Sequence, residues 1–370
     1  MNKQHSFLMI VSVALLLLLT GCTVQKRSEV TTQNYKLGFM GPQTGDAASI
    51  GVPNRETAEL ALEEFNANSD KKIDIVFEDD RCEGKTATTV AQKLIDQDKV
   101  SAIIGTLCSS ALLATAPIAE PAQVVMLSYG ATSPKIKDAG DYVFRVVPSD
   151  AGQGKKAAAL VKGSGAKKVG VLFRNDDWGV GISGVFVNEA KKLGLDVTVE
   201  SLEPGSNDVR TQLTKIKEFN PDAIYMPLFP AEAPIVLKQI KELGITATLV
   251  GADASKDDTV LTNAGDAAEG FTVTLPAVPE SAELTALNEK FKAKYNKDSS
   301  AYNPETWDAT MILLNACAKT DCTGSAIKDY LNQMGEYNGV SGTFEFDEFG
   351  EVEKSYDLFV VKDGKFVKQE

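Results

Sequence analysis

Apolar positions along this chain switch repeatedly between a period of two and a period near 3.6, and those switches mark out its elements. Residues 35–40 (YKLGFM) read as a strand, followed by a loop holding Gly41, Pro42, Gly45 and Gly51. A helix is predicted from about Pro53, with Ala58, Leu60, Ala61, Leu62 and Phe65 on its apolar face and proline in its first turn. Strands at 73–78, 101–105 and 124–128 then alternate with helices at 86–95 and 109–119. The rhythm starts again with a strand at 142–147, a helix at 153–163 and a buried strand at 168–173 (KVGVLF). Helices at 181–193, 208–218 and 231–243 alternate with strands at 196–200, 223–226 and 248–250. A strand at 271–275 and helices at 282–294 and 303–316 follow. Segments 342–346 and 355–361 read as an antiparallel pair turning near Phe349 and Gly350. Strands alternating with helices call for right-handed crossovers and parallel sheets, so the fold class is α/β. Two such units predict two lobes, and the lack of a Pro/Ser-rich linker predicts several short crossings between them.

The start of the chain follows a different pattern. Residues 7–19 are almost wholly apolar after a short polar start with Lys3 and His5. As a helix this run would reach only about 20 Å, short of the ~30 Å hydrocarbon core, so residues 1–21 read as an export leader. Leu19-Thr20-Gly21-Cys22 resembles the bacterial lipobox, in which the cysteine sulfur receives a diacylglycerol and becomes the first mature residue. Cys22 is therefore the expected lipidation site, and polar residues 22–34 the tether between membrane and domain. The expected location is outside the cytoplasmic membrane.

Charge and composition narrow the chemistry. His5, the only histidine, leaves with the leader, so imidazole is excluded as base, acid or metal ligand in the mature chain. Losing Lys3 moves the net charge from −13 to −14, which repels nucleic acid and anionic headgroups. Besides Cys22, Cys82, Cys108, Cys317 and Cys322 remain, an even number that in an exported chain favours two disulfides among three pairings. Cys317 and Cys322 are near enough to close a small loop at a helix end, which leaves Cys82 with Cys108. A zinc site is the alternative, disfavoured because no paired Cys-x₂-Cys unit is present. No cofactor or metal is expected.

Ligands of open α/β sheets bind at the carboxyl ends of strands, which directs attention to the loops there. No P-loop occurs, and no Gly-x-Ser-x-Gly elbow is present. Ser109 and Ser110 fall at the expected N-terminus of a helix, where a serine either caps the helix or helps to hold an anion. Gly130-Ala131-Thr132-Ser133 offers small residues and hydroxyls in another such loop. Asp253 stands where it can cap the next helix or face a cation. Trp178 is placed in an acidic loop, covering an apolar ligand or a neighbouring loop.

Several stretches together resemble the type I periplasmic solute-binding proteins, and within them the branched-chain amino-acid-binding branch. They are Glu78-Asp-Asp-Arg-Cys82, Ile104-Gly-Thr-Leu-Cys-Ser-Ser110, residues 128–134 (SYGATSP), Tyr142-Val-Phe-Arg145 and Gly265-Asp-Ala-Ala-Glu-Gly270. The resemblance spans residues 35–361. It implies two Rossmann-like lobes joined by three crossings: residues 35–149 with 277–343, and 150–276 with 344–370. It also implies the Cys82–Cys108 bridge. Carried over by position, Ser109 would receive a ligand α-carboxylate, while Gly130, Ala131, Thr132 and Asp253 would face its ammonium. Ile50, Leu107, Cys108, Trp178, Phe229 and Tyr302 would line the side-chain pocket. Asp253 is one methylene shorter than the glutamate of leucine-binding relatives. Ile50 and Phe229 stand where relatives often have tyrosine, and Trp178 replaces a smaller aromatic, so the pocket is more apolar. The resemblance implies a non-enzymatic receptor that delivers an aliphatic or other hydrophobic amino acid to an ABC permease and its ATPase subunits. A sensory receptor of the same fold for an amide or aromatic acid is the alternative, and a histidine-free exported enzyme a remoter one.

Overall fold

In a computed structural model, the strands at the chain's start assemble into a five-stranded parallel sheet. The structure describes residues 35–369, so the leader (1–21), Cys22 and the tether (22–34) lie outside the described residues. Strands β1 (Tyr35–Gly41), β2 (Ile73–Asp79), β3 (Ala102–Ile104), β4 (Val125–Ser128) and β5 (Val143–Arg145) take the order β2-β1-β3-β4-β5. β1 is buried along its last five residues because both faces are covered by helices, which explains its near-continuous apolar run. Helices α1 (Ala48–Asn68), α2 (Gly84–Gln92) and α3 (Ser109–Ala122) make the connections between the first four strands.

A second sheet takes the order β14-β13-β10-β9-β8-β6-β7. Its parallel part is β6 (Lys168–Arg174), β7 (Asp196–Leu202), β8 (Ala223–Met226), β9 (Thr248–Gly251) and β10 (Thr272–Pro276). β13 (Tyr356–Lys362) and β14 (Lys365–Gln369) extend it in antiparallel fashion. Helices α4 (Asp150–Gly163), α5 (Asp177–Lys192), α6 (Arg210–Phe219), α7 (Ala233–Glu242) and α8 (Asp258–Ala264) belong with this sheet. After β10 the chain returns to the first sheet. There α9 (Ala282–Tyr295) leads to α10 (Asn303–Lys319), packed on α1, β3 and β4, and α11 (Gly324–Asn332) lies on β4. The chain thus passes between two lobes after β5, after β10 and before β13.

Four expectations are corrected. α1 begins at Ala48, so Pro53 lies inside the helix instead of opening it. The rhythm of strands and helices put 142–147 at the start of the second unit, whereas β5 hydrogen-bonds to β4 in the first sheet, where the family resemblance had placed it. Trp178 is not in a loop: α5 begins at Asp177, with the Asp176 carboxylate accepting from the Gly179 N–H at 2.8 Å. Finally, 342–346 and 355–361 do not pair with each other. β12 (Gly342–Phe344) pairs with β11 (Tyr337–Gly339), while β13 lies between β10 and β14. An antiparallel strand goes where an edge is free, and the residue pattern of the strand does not reveal which edge that is.

Candidate functional site

Each sheet has one point where the chain reverses its direction of strand addition: between β1 and β3 in the first, and between β6 and β8 in the second. Loops leaving neighbouring strands there diverge and open a crevice, and in this molecule the two crevices face each other. They enclose a narrow cavity of about 20 Å³ lined by Ala47, Ile50, Leu107, Cys108, Ser109, Gly130, Trp178, Phe229, Asp253, Ala254 and Tyr302. Nine of the eleven expected ligand-site residues meet in this one space. Ala131 and Thr132 do not line it, and both are buried. Expectation had missed Ala47 and Ala254, whose small apolar side chains give no signal by themselves.

One end of the cavity suits an anion. Cys108 is the N-cap of α3 and offers no side-chain cap, so the first N–H groups of the helix remain available. The Ser109 hydroxyl oxygen accepts from the Ser133 N–H at 3.1 Å instead of capping its own helix. That bond ties this loop to the one after β4. Close approach is needed here: a Cβ on Gly105, at φ +143°, would stand 2.4 Å from the Met40 carbonyl oxygen. On Gly130 it would come within 2.4 Å of Leu107 Cδ1. The Cys82–Cys108 disulfide, with Cα atoms 5.3 Å apart, anchors the loop from outside, and Cys317 pairs with Cys322 at the end of α10.

The opposite end is acidic. Asp253 is 2% exposed, and its carboxylate accepts from the Tyr302 hydroxyl and, at 3.2 Å, from Gln153 Nε2. Asp257, not Asp253, caps α8. Burial pushes the Asp253 carboxyl up, opposed by the bonds from Tyr302 and Gln153. Both bonds come from neutral donors, and among the described residues no cation pairs with this carboxylate. Tyr302 itself holds a left-handed φ of +66°, a strained setting for a bulky residue that aims its hydroxyl across the cleft. Behind Asp253 stands Asp150, which expectation had also missed. It is completely buried, neither carboxylate oxygen has a hydrogen-bond partner, and burial followed by the Asp253 charge holds its carboxyl well above the usual range. The hydroxyls of Thr132 and Tyr225 are also buried, and Thr132 stands close enough to Asp150 to oppose the rise of its carboxyl. Asp150 opens α4 on the crossing after β5, in a loop that was not among those weighed as strand-end ligand loops.

The walls between these ends are apolar. Trp178 stacks on Phe229 with ring centroids 5.1 Å apart, and Ile50 and Leu107 lie opposite. Across the cleft the lobes also touch directly. The Ser133 hydroxyl donates to the Asp177 carbonyl at 3.2 Å, the Asp177 N–H donates to Ser110 Oγ at 3.2 Å, and Lys135 pairs with Asp177 at 3.0 Å.

Two α/β lobes around a cavity with a helix N-terminus at one end and a buried carboxylate at the other define a protein that clasps a small ligand. Residues 34–365 match the family described as periplasmic binding protein, and the chain belongs to that family. It is 28% identical to the leucine-, isoleucine-, valine-, threonine- and alanine-binding protein of Pseudomonas aeruginosa, over 90% of each chain. Among solved structures, a leucine-binding protein of Thermotoga maritima is 31% identical with a TM-score of 0.86, covering 91% of this chain and 98% of that one. A branched-chain amino-acid transporter substrate-binding protein of Streptococcus pneumoniae, solved with isoleucine, is 29% identical with a TM-score of 0.83, covering 91% and 100%.

Proposed function

We propose that this protein is the extracytoplasmic substrate-binding component of an ABC importer and captures a hydrophobic amino acid by closing two lobes over it. The observation that carries this reading is Asp253, a desolvated carboxylate served only by neutral donors, facing the open N-terminus of α3 across an apolar cavity. A zwitterion satisfies both ends at once: its ammonium meets Asp253 and its carboxylate meets the N–H groups at Ser109. An aromatic acid brings no cation for Asp253 and leaves that charge uncompensated. The aliphatic or aromatic side chain of the amino acid then lies among Ile50, Leu107, Trp178 and Phe229, where burial contributes roughly 1.5–3 kcal/mol.

In this reading Gly130, Ala131 and Thr132 shape the ammonium end, Cys108 and Tyr302 complete the wall, and the hinge is the set of three crossings near residues 149, 276 and 343. The ligand contacts both lobes, so only the closed state gains all its bonds, and binding shifts the population toward closure. Acylation of Cys22 would hold the protein at the membrane surface beside its permease and ATPase partners. The site offers capture without conversion. The only histidine is His5, and Ser109 Oγ accepts its bond from a backbone N–H, with no base to activate it.

Calorimetric titration with each of the twenty amino acids, and with benzoate as a cation-free control, tests the proposal. A hydrophobic amino acid is expected to bind wild type, and Asp253→Asn to bind it at least 30-fold more weakly, the usual scale for an unpaired buried charge partner. Equal affinity in Asp253→Asn, or tighter binding of benzoate than of any amino acid, would refute it.

A further inference from the structure

Behind the aromatic wall lies an ion cluster that ligand contact alone does not call for. Arg174, at the end of β6, is 6% exposed, and its guanidinium sits 4.4 Å from the centroid of the Phe229 ring. Its Nε pairs with Asp176 at 2.8 Å, and its Nη1 pairs with Asp46 at 2.9 Å and also with Glu232. Glu232 in turn accepts from the Phe229 N–H at 3.1 Å. Arg174, Asp176, Glu232 and Phe229 all belong to the second lobe. Asp46 belongs to the first, in the loop between β1 and α1. The pair between Asp46 and Arg174 therefore exists only when the two crevices face each other, whereas the other contacts survive opening. It is also better shielded than the pair of Asp177 with Lys135, its side chains 33% and 7% exposed against 41% and 58%.

We propose that Arg174 is a positioning residue for ligand capture, tying the lobes in the closed arrangement through Asp46 and fixing the Phe229–Trp178 wall from behind. Planarity suits it to both tasks, because a guanidinium lies flat on a ring while its edge holds carboxylates in a fixed fork. The closed state thus draws part of its stability from the protein itself, and ligand affinity scales with the fraction of molecules able to close. The affinity part of the inference rests on the amino-acid reading above; the tie between lobes does not.

The two roles separate by substitution. Asp46→Asn removes the tie between lobes and leaves the wall intact. Arg174→Lys keeps a charge for the carboxylates but removes the planar contact with Phe229, and it avoids leaving Asp176 and Glu232 buried without a cation. Titrations of the full chain with L-valine, L-leucine and L-phenylalanine are expected to show about a fivefold weaker Kd in Asp46→Asn, equal for all three and shrinking in high salt, which corresponds to ~1 kcal/mol. Arg174→Lys is expected to change the ratio of the three Kd values, which a purely structural role would leave alone. X-ray scattering without any added ligand is expected to give Asp46→Asn a larger radius of gyration than wild type. Unchanged Kd values and radius in Asp46→Asn overturn the tie, and unchanged ratios in Arg174→Lys overturn the wall. If no amino acid binds wild type, the capture reading fails and the scattering comparison alone decides the tie.

Discussion

Asp80 is fully buried beside the disulfide-bonded Cys82, and its carboxyl is pushed up to about 7 by burial and the neighbouring Asp79. Glu305, buried at the start of α10, is likewise raised to about 7. A carboxyl whose folded pKa lies above its unfolded value holds a proton in the native state that the unfolded chain has already released. Its contribution to stability is complete below about pH 4 and is lost as the pH rises through 7. Thermal unfolding is therefore expected to show a falling midpoint between pH 5 and pH 8. Asp80→Asn, which keeps the bond from the Cys82 N–H at 2.9 Å, is expected to reduce that fall and be more stable than wild type at pH 8. An identical pH profile in both proteins would remove Asp80 from the account. At the same scale, Asp253 was legible in the sequence as an acid in a strand-end loop. Its partners Gln153, Tyr302 and Asp150 were not legible as a group, because they come from two segments far apart in the chain and brought together only by folding.

Among the elements, α3 and the loop before it carry most of the site. The N-terminus of the helix at Ser109 was readable from hydroxyl residues preceding an apolar run, and the structure begins the helix there. The cysteine spacing left three pairings open, and the structure closes a segment of sequence separation 26 between Cys82 and Cys108. Loop-closure entropy for such a segment predicts that Cys82→Ser/Cys108→Ser loses about 3 kcal/mol of unfolding free energy, measurable by chemical denaturation under oxidising conditions. Cys108 also lines the cavity, so this variant is expected to bind ligand more weakly even where it remains folded. The misplaced elements share a cause. Trp178 lies in a helix because Asp176 caps it, and β13 left its expected hairpin because β10 offered a free edge. In both places the local pattern suits more than one partner.

For the whole molecule, the proposed closure rests on topology. Three passages of the chain connect the two lobes, and in the proposed function these are the hinge about which the cleft opens and closes on a ligand that both lobes contact. Saturating ligand is expected to lower the radius of gyration and to raise the unfolding midpoint with the logarithm of ligand concentration, as mass action requires. A ligand that raises the midpoint without contracting the molecule would argue against capture by closure. By itself, the sequence determined the α/β class, the two units and most helix and strand positions, because these follow from the period of apolar residues over a few turns. It also showed that the one histidine of the chain is His5, so the described residues contain no imidazole. Only the tertiary structure decided which edge receives β13, that Asp150 lies behind Asp253, and that Arg174 reaches Asp46 across the cleft. Those contacts join residues more than a hundred positions apart, or elements with several equally suitable neighbours, and burial and charge select among them only once the lobes are built.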